Sequence, residues 1–417
     1  MINYEFPPLG GGAANATEYL LAAFADRDDV AVDLVTSSPD AYRDEQFADD
    51  IRVIRLDVGK DAVHYWTQAE ILRYSWGAYR KARDLTDEFD YDVVHAWFGV
   101  PSGVIARLLD LPYVVALRGS DVPGYNDRFT AQYVLLKPLL RRIWRDAEAV
   151  VANSAGLREL ARETADVPID VIPNGVAVDE FEPVDHEDRR AGGEPLRVLC
   201  VSRLIERKGI RHLLEALADL DVDTDAAIDL DADPDLDTTA DIDTDADPDT
   251  DADPDLDVEL TVVGDGDRME ALQLRATRLG IDDRVTFTGY VPHESIHGYY
   301  ESADVFVLPS YNEGMSNTVL EAMAAGLPVV MTDTGGAAEL IDENGIVVDA
   351  GDADAIAAAL STYARDQSLR REHGHNSRTI AESMSWASVA DQYLRTYEAA
   401  SSRTEPEAVQ TPVSRGE

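Results

Sequence analysis

Val305-Phe-Val-Leu-Pro-Ser-Tyr-Asn-Glu-Gly-Met-Ser-Asn-Thr-Val-Leu-Glu-Ala-Met-Ala-Ala-Gly-Leu-Pro-Val-Val-Met331 reads as strand, polar loop, helix and strand in one run. The apolar tetrad Val305–Leu308 stops at Pro309, and the loop after it carries Glu313 and Gly314. Ser316 can cap a helix running to Ala325, ahead of a second strand at Pro328–Met331. Neither strand alternates apolar with polar residues, so both suit a parallel sheet covered on its two faces. Such folds bind ligands in the crevice beyond the strand ends, which free helix N–H groups at Ser316–Thr318 would face.

Working outward, short β-branched runs alternate with helical stretches along most of the chain, the pattern of parallel α/β sheets. The first half predicts strands at Val30–Thr36, Ile51–Leu56, Asp92–Phe98, Tyr113–Leu117, Ala149–Asn153 and Ile169–Ile172. The second half predicts Leu196–Val201, Val258–Val263, Arg284–Thr288, Val305–Leu308, Pro328–Met331 and Ile346–Val348. A charged break at Val184–Pro195 separates the two sets and carries Gly192, Gly193 and Pro195, as a boundary should. The expected fold class is therefore α/β with two Rossmann-like domains, residues 1–183 and 184–384. Ser385–Ala400, with Trp386, Val389, Tyr393 and Tyr397 at helical spacing, forms a last helix.

Composition narrows the function. The 417 residues carry 36 Lys+Arg against 81 Asp+Glu, a formal net charge of −45, and 45% are hydrophobic. Full cores are affordable, and a polyanion of this size opposes nucleic-acid binding. One cysteine, Cys200, excludes a disulfide framework and a Cys-based zinc site. No apolar run approaches the roughly 18–20 residues of a spanning helix, and no signal peptide opens the chain, so a cytoplasmic protein is expected. Only Ile2 and Tyr4 represent a first strand, which is short enough to expect a start upstream of Met1. The acidity points to a halophile, since molar salt shortens the Debye length to about 3 Å and screens the repulsion.

Asp221–Asp257 interrupts the second domain between a helix (Gly209–Leu220) and a strand. Its 37 residues include 17 Asp and no Glu, Lys or Arg, and Asp-Ala-Asp-Pro-Asp recurs from Asp231, Asp245 and Asp251. Like charges and Pro234, Pro248 and Pro254 oppose strand pairing, which predicts a disordered, self-repelling loop. A calcium loop would need a turn glycine and a terminal Glu, and the segment has neither. The tail 401–417 is expected to be disordered too.

Two places could carry chemistry. Gly10-Gly-Gly12 precedes a helix at Ala13–Phe24, where glycines admit a close ligand and the helix N-terminus favours an anion. Glu313 and Glu321 stand eight positions apart, one in a loop and one in a helix. Two carboxylates beside an anion site suit sugar hydroxyls better than phosphate.

The Glu313–Glu321 segment resembles the E-x7-E signature of family-four retaining glycosyltransferases of the GT-B fold. The resemblance extends to Asn153-Ser154, Ile172-Pro-Asn-Gly175, Val201-Ser-Arg-Leu204 with Lys208-Gly209, Gly264-Asp-Gly266, Phe287-Thr-Gly-Tyr-Val291 and Gly335-Gly336. It implies parallel sheets facing a central cleft, a nucleotide-sugar donor in the second domain and a glycan or lipid-linked acceptor in the first. It also implies a last helix packing back on the first domain. By the same resemblance Arg203 and Lys208 would neutralise the donor diphosphate, Glu321 would hold the ribose and Glu313 the donor sugar. Gly314, Met315, Ser316 and Asn317 would meet sugar and diphosphate, Tyr290, Val291, Gly264 and Gly266 the nucleobase, and Gly11 and Gly12 the diphosphate. The catalytic set so implied is Glu313, Arg203, Lys208, His95 and Asp121, with Arg118 and Asp121 on the acceptor side. No cofactor and no metal are implied, the donor being a UDP-, GDP- or similar nucleotide sugar. The Asp-x-Asp triplets lie in the low-complexity loop and say nothing about catalysis.

Two departures fall in the first domain. Leu117-Arg-Gly-Ser-Asp121 places Arg118 where the family often has His, and His95-Ala-Trp97 keeps one His of a frequent pair. They bear on the acceptor more than on the donor. Residues 128–145 hold Arg128, Lys137, Arg141, Arg142 and Arg145 among apolar residues with no acid, which suits peripheral contact with an anionic membrane face. An alternative within the fold is a sugar-nucleotide epimerase or phosphorylase, and a further one is a non-catalytic binding homologue.

Overall fold

The computed structural model describes residues 1–60, 66–125, 130–184, 194–220 and 256–402. The chain divides into two compact units, Met1–Gly175 with Met384 onward, and Val176–Ser383. Residues 176–183 therefore count with the second unit and not with the first. Val184 N–H bonds the Ala325 carbonyl at 2.9 Å, and the Arg378 guanidinium donates to the carbonyls of Val178 at 3.3 Å and Phe181 at 2.9 Å. The expected disordered insertion and tail fall almost wholly outside the described residues.

In the first unit β1 (Val32–Ser38), β2 (Arg43–Ala48) and β3 (Ile51–Asp57) pair in the order β1-β3-β2. A second set, β4 (Val94–Trp97), β5 (Tyr113–Leu117), β6 (Ala149–Ala152) and β7 (Asp170–Val171), runs in parallel and in sequence order. Ile2 makes parallel bridges to both Val35 and Ala96, and so stitches the two sets together. A single buried residue does the work of the short first strand, because its neighbours on both sides supply the ladder: Ile2 N–H to His95 O at 2.9 Å and Trp97 N–H to Ile2 O at 3.0 Å. The antiparallel strand β2 is a departure from the sequence reading. Its Arg-Asp-Glu-Gln-Phe-Ala faces solvent at the sheet edge, where charge rather than apolar periodicity is tolerated.

The last helix of this unit, Trp386–Ser402, packs on helix Gly12–Ala25. Trp386 stacks on Tyr19 at 5.7 Å between ring centroids, and Tyr393 is fully buried. Ser401 and Ser402, expected in the tail, continue this helix.

The second unit holds β8 (Leu196–Val201), β9 (Val258–Val263), β10 (Val285–Gly289), β11 (Val305–Leu308), β12 (Val329–Thr332) and β13 (Gly345–Val348). All are parallel, in the order β10-β9-β8-β11-β12-β13. Every residue of β11 and β12 is buried, as their unbroken apolar runs require. Val305 and Val307 join Leu213, Leu217, Ile356 and Leu360 on one face, while Phe306 points the other way onto Tyr300. Strand order reverses between β8 and β11, so the crevice that such folds use lies beyond the carboxyl ends of those two strands.

Helix Ile210–Asp219 and β9 bracket the Asp-rich segment, whose described end is Leu256, packed against the core. A connection from helix to strand in a parallel sheet lies at the opposite edge from that crevice. Replacing residues 221–255 by a short Gly-Ser loop is therefore expected to keep fold and ligand binding. It should also lower the salt needed for half-maximal stability, since it removes 16 aspartates and their repulsion, while loop length itself costs only about 0.6 kcal/mol per doubling. Thermal unfolding against salt checks this; loss of ligand binding in a folded variant would contradict it. No helix among the described residues is long and apolar enough to cross a membrane.

Candidate active site

The loops after β8 and β11 meet at the switch point. Tyr311 N–H bonds the Arg207 carbonyl at 2.9 Å and Arg207 donates back to the Asn312 carbonyl at 2.7 Å, which brings Lys208 beside Glu313. Lys208 Nζ donates to Glu313 Oε1 in an ion pair, and Ser310 Oγ donates to the same oxygen at 2.8 Å. Lys208 and Glu313 are only 9% and 8% exposed, so removing either would strand a buried partner. Arg203 is exposed and, among the described residues, makes no ion pair. The loop after β8 thus carries one cation paired with a carboxylate, Lys208, and one exposed cation, Arg203.

Two of the candidate glycines are explained by packing. A Cβ at Gly264 would stand 1.9 Å from the Ser202 carbonyl oxygen, and one at Gly266 would stand 2.3 Å from that of Leu204. They let the loop after β9 nest on the loop after β8. Gly314 is likewise pressed by Gly336, whose added Cβ would lie 2.1 Å from the Gly314 oxygen. Helix Asn317–Ala324 begins at Ser316, but Ser316 does not cap it; its hydroxyl pairs with that of Thr318 at 3.2 Å. Backbone N–H groups of the first turn thus keep no side-chain acceptor from the cap residue. Met315 and Ser316 are buried, Val291 is half-buried and Tyr290 is 76% exposed at the end of β10, free of the core.

Glu321 sits on the same helix under two donors that the sequence did not single out. Tyr300 Oη donates to its Oε2 at 2.6 Å, and the His293 ring approaches its Oε1 at 3.3 Å. Burial, with the Glu321 charge beside it, holds the Tyr300 phenol well above its ordinary range, so it remains a donor. Ser310 was missed as well, though its place three residues before Glu313 was a readable signal. Tyr300 and His293 are remote from Glu321 in sequence, and only the fold brings them there. Cys200 is fully buried in β8, out of reach of a ligand, and that burial pushes its thiol up to about 12.

In the first unit the glycine loop leaves helix Gly12–Ala25 starting at Gly12, with Gly11 at its cap and no side-chain cap bond. Space beside Gly11 is open, since an added Cβ meets nothing within 4 Å. His95 is placed elsewhere than expected. It is buried in β4, stacked between Trp97 at 4.9 Å and Tyr393 at 5.0 Å, and its Nδ1 bonds the Tyr397 hydroxyl at 2.6 Å. That corrects its assignment to the catalytic set: the last helix covers it. Asp121 is also inward, its carboxylate accepting from the N–H groups of Arg118 at 2.9 Å, Gly119 at 3.1 Å and Gly99 at 2.9 Å. Burial raises its pKa against those bonds. It therefore ties the ends of β4 and β5 together. Arg118 donates to Asn174 Oδ1 at 2.7 Å and lies over Trp97 at 4.6 Å, a cation held by its own unit.

Burial holds the His95 imidazole well below its ordinary value of 6.5. The native state thus favours the neutral ring, and its contribution to stability is full above that value and fades as pH falls beneath it. His95→Gln should cost stability at pH 8 but lose less than the wild type on acidification to pH 5. Equal pH slopes for the two proteins in thermal unfolding would refute the buried neutral histidine.

Comparison with known proteins places the chain in a family. Residues 11–175 match the family described as glycosyl transferase 4-like domain, and residues 244–366 match glycosyl transferases group 1. A Bacillus subtilis protein named for teichuronic acid biosynthesis, TuaC, is 30% identical over 303 residues, covering 70% of this chain and 65% of that protein. The chain thus spans just under two thirds of that relative. A Mycolicibacterium smegmatis GDP-mannose-dependent alpha-(1-6)-phosphatidylinositol monomannoside mannosyltransferase is 30% identical over 301 residues, 66% of this chain and 69% of the relative. Among solved structures, sucrose-phosphate synthase of Thermosynechococcus elongatus superposes with a TM-score of 0.70 at 23% identity, covering 94% of this chain and 93% of that one. Anabaena HepE, solved with UDP and glucose, gives 0.65 at 20% identity, with 95% and 98% covered. The fold is the GT-B fold of these structural neighbours, and the family matches make the chain a glycosyltransferase. The chain belongs to the group 1, type-4-like glycosyltransferases.

Proposed function

We propose that the chain moves a sugar from a nucleoside-diphosphate donor to a glycan or lipid-linked acceptor, with retention at the anomeric carbon. The observation that carries this reading is the cluster at the β8/β11 switch point, where Arg203 and Lys208 offer positive charge beside Glu313. A departing diphosphate needs cationic help, and charge-assisted bonds supply it. Glu321, gripped by Tyr300, is suited to ribose hydroxyls. Glu313 is committed to Lys208 and Ser310, which suits it to orient a sugar hydroxyl and not to attack carbon. The sugar–diphosphate bond then breaks as the acceptor oxygen attacks from the same face, and the leaving phosphate takes the acceptor proton. The scheme involves no cofactor and routes no step through a metal. The mannosyltransferase relative is named as GDP-mannose-dependent, which supports a nucleotide sugar as donor. Incubation with a panel of nucleotide sugars tests the reading: slow release of nucleoside diphosphate with the sugar configuration kept supports it. C2 epimers would favour an epimerase, and inertness toward every donor would contradict both.

Peripheral membrane contact belongs to the same proposal. Helix Thr130–Asp146 leaves Leu135 83% and Val134 69% exposed, with Arg142 and Arg145 also exposed. Anionic vesicles should sediment the wild type at moderate salt and not a variant carrying Leu135→Ser, Arg142→Gln and Arg145→Gln. No sedimentation of the wild type would end the idea. The net charge of −45 makes molar salt the expected working condition.

A further inference from the structure

His293 and His297 lie four positions apart, a spacing that sets two imidazoles on one side of a helical turn. Their rings meet edge to face with centroids 5.9 Å apart. Opposite them Glu180 ends the short turn Val178–Glu180, with its Oε2 3.7 Å from His297 Nε2. One donor atom from each of the three lies within 4.8 Å of the other two. His297 Nε2 is buried and has no hydrogen-bond partner among the described residues, although the imidazole edge faces a carboxylate. A polar nitrogen left in that position is what a missing ligand would satisfy.

We propose that Glu180, His293 and His297 form a site for a divalent transition-metal ion of the zinc class. Two imidazole nitrogens and one carboxylate oxygen, completed by water, are a tetrahedral donor set for zinc, while calcium and magnesium take oxygen ligands. The three side chains would close inward on a shared ion to reach bonding distances near 2.0–2.2 Å. Around this set, Glu321 stands against His293 at 3.3 Å, in the position of the carboxylate that orients a ligating imidazole. Phe181 packs edge-on against His297 at 4.8 Å and fixes its ring. The ion would fasten the loop after β10 to the turn at Glu180 and so brace Glu321. That last consequence rests on Glu321 being the ribose carboxylate; the metal site itself does not.

Cobalt(II) is the probe, because tetrahedral nitrogen-containing sites give strong visible bands and all-oxygen octahedral ones give weak bands. This separates the histidine site from any binding by the Asp-rich segment. The full chain should show strong bands saturating at one equivalent and displaced by zinc. His297→Ala and, as a second variant in case that one folds poorly, Glu180→Gln should each weaken binding roughly tenfold or more. Weak octahedral bands only, or full-strength tetrahedral bands in both folded variants, would overturn the site. Nucleoside diphosphate affinity measured with and without zinc reads the coupling separately. A rise with zinc supports it, and an unchanged affinity in a chain that does bind cobalt tetrahedrally refutes the coupling alone.

Discussion

Lys208→Ala is expected to lower stability and donor affinity together, whereas Arg203→Ala lowers donor affinity alone. Lys208 is the buried partner of a buried Glu313, and removing one member of such a pair costs about 3–5 kcal/mol. Loss of a charge-assisted contact to the diphosphate adds about 1.5–3 kcal/mol to binding in either variant. Thermal unfolding and nucleoside diphosphate titration, run side by side, separate the two effects. A Lys208→Met/Glu313→Gln double variant should regain much of the stability without regaining turnover, since it removes the stranded charge and not the need for it. An unchanged melting temperature and affinity in Lys208→Ala would contradict the pair and its role at once.

The two carboxylates should respond differently. Glu321→Gln weakens the bonds that a ribose would receive and should cost about 1.5–3 kcal/mol of free nucleoside diphosphate affinity. Glu313→Gln keeps a hydrogen-bonding group of the same size but loses the charge that holds Lys208. It should leave nucleoside diphosphate affinity nearly intact and slow transfer on the order of 100-fold, the scale of one lost preorganised contact. Equal losses of affinity in both variants would contradict separate roles.

Much of the second unit was legible in sequence because its strands are buried on both faces. Val305–Leu308 and Leu196–Val201 have the same bounds in the fold as in the sequence reading. β2 was not legible, since a charged edge strand carries no apolar period. Ile2 looked too short for a central strand because its ladder is supplied by β1 and β4, which sequence spacing does not reveal. At the site, Arg203 and Lys208 were singled out by the family resemblance as cations for a diphosphate, and Glu313 as a contact to the donor sugar. Their pairing was not, since Lys208 and Glu313 meet across the β8/β11 reversal. His95 misled for a related reason: a histidine near a strand end reads as reactive until Tyr393 and Tyr397, far along the chain, are seen to cover it.

The central claim is that the strand-end crevice of the second unit holds a nucleoside diphosphate. Titrating UDP, GDP and ADP calorimetrically, in molar salt, into the wild type and an Arg203→Ala/Glu321→Gln variant tests it most directly. The account predicts one-to-one binding of at least one of the three to the wild type. It also predicts a loss of about 3–6 kcal/mol in the variant if the two contacts act independently. No binding by the wild type, or the same affinity in a folded double variant, would contradict it.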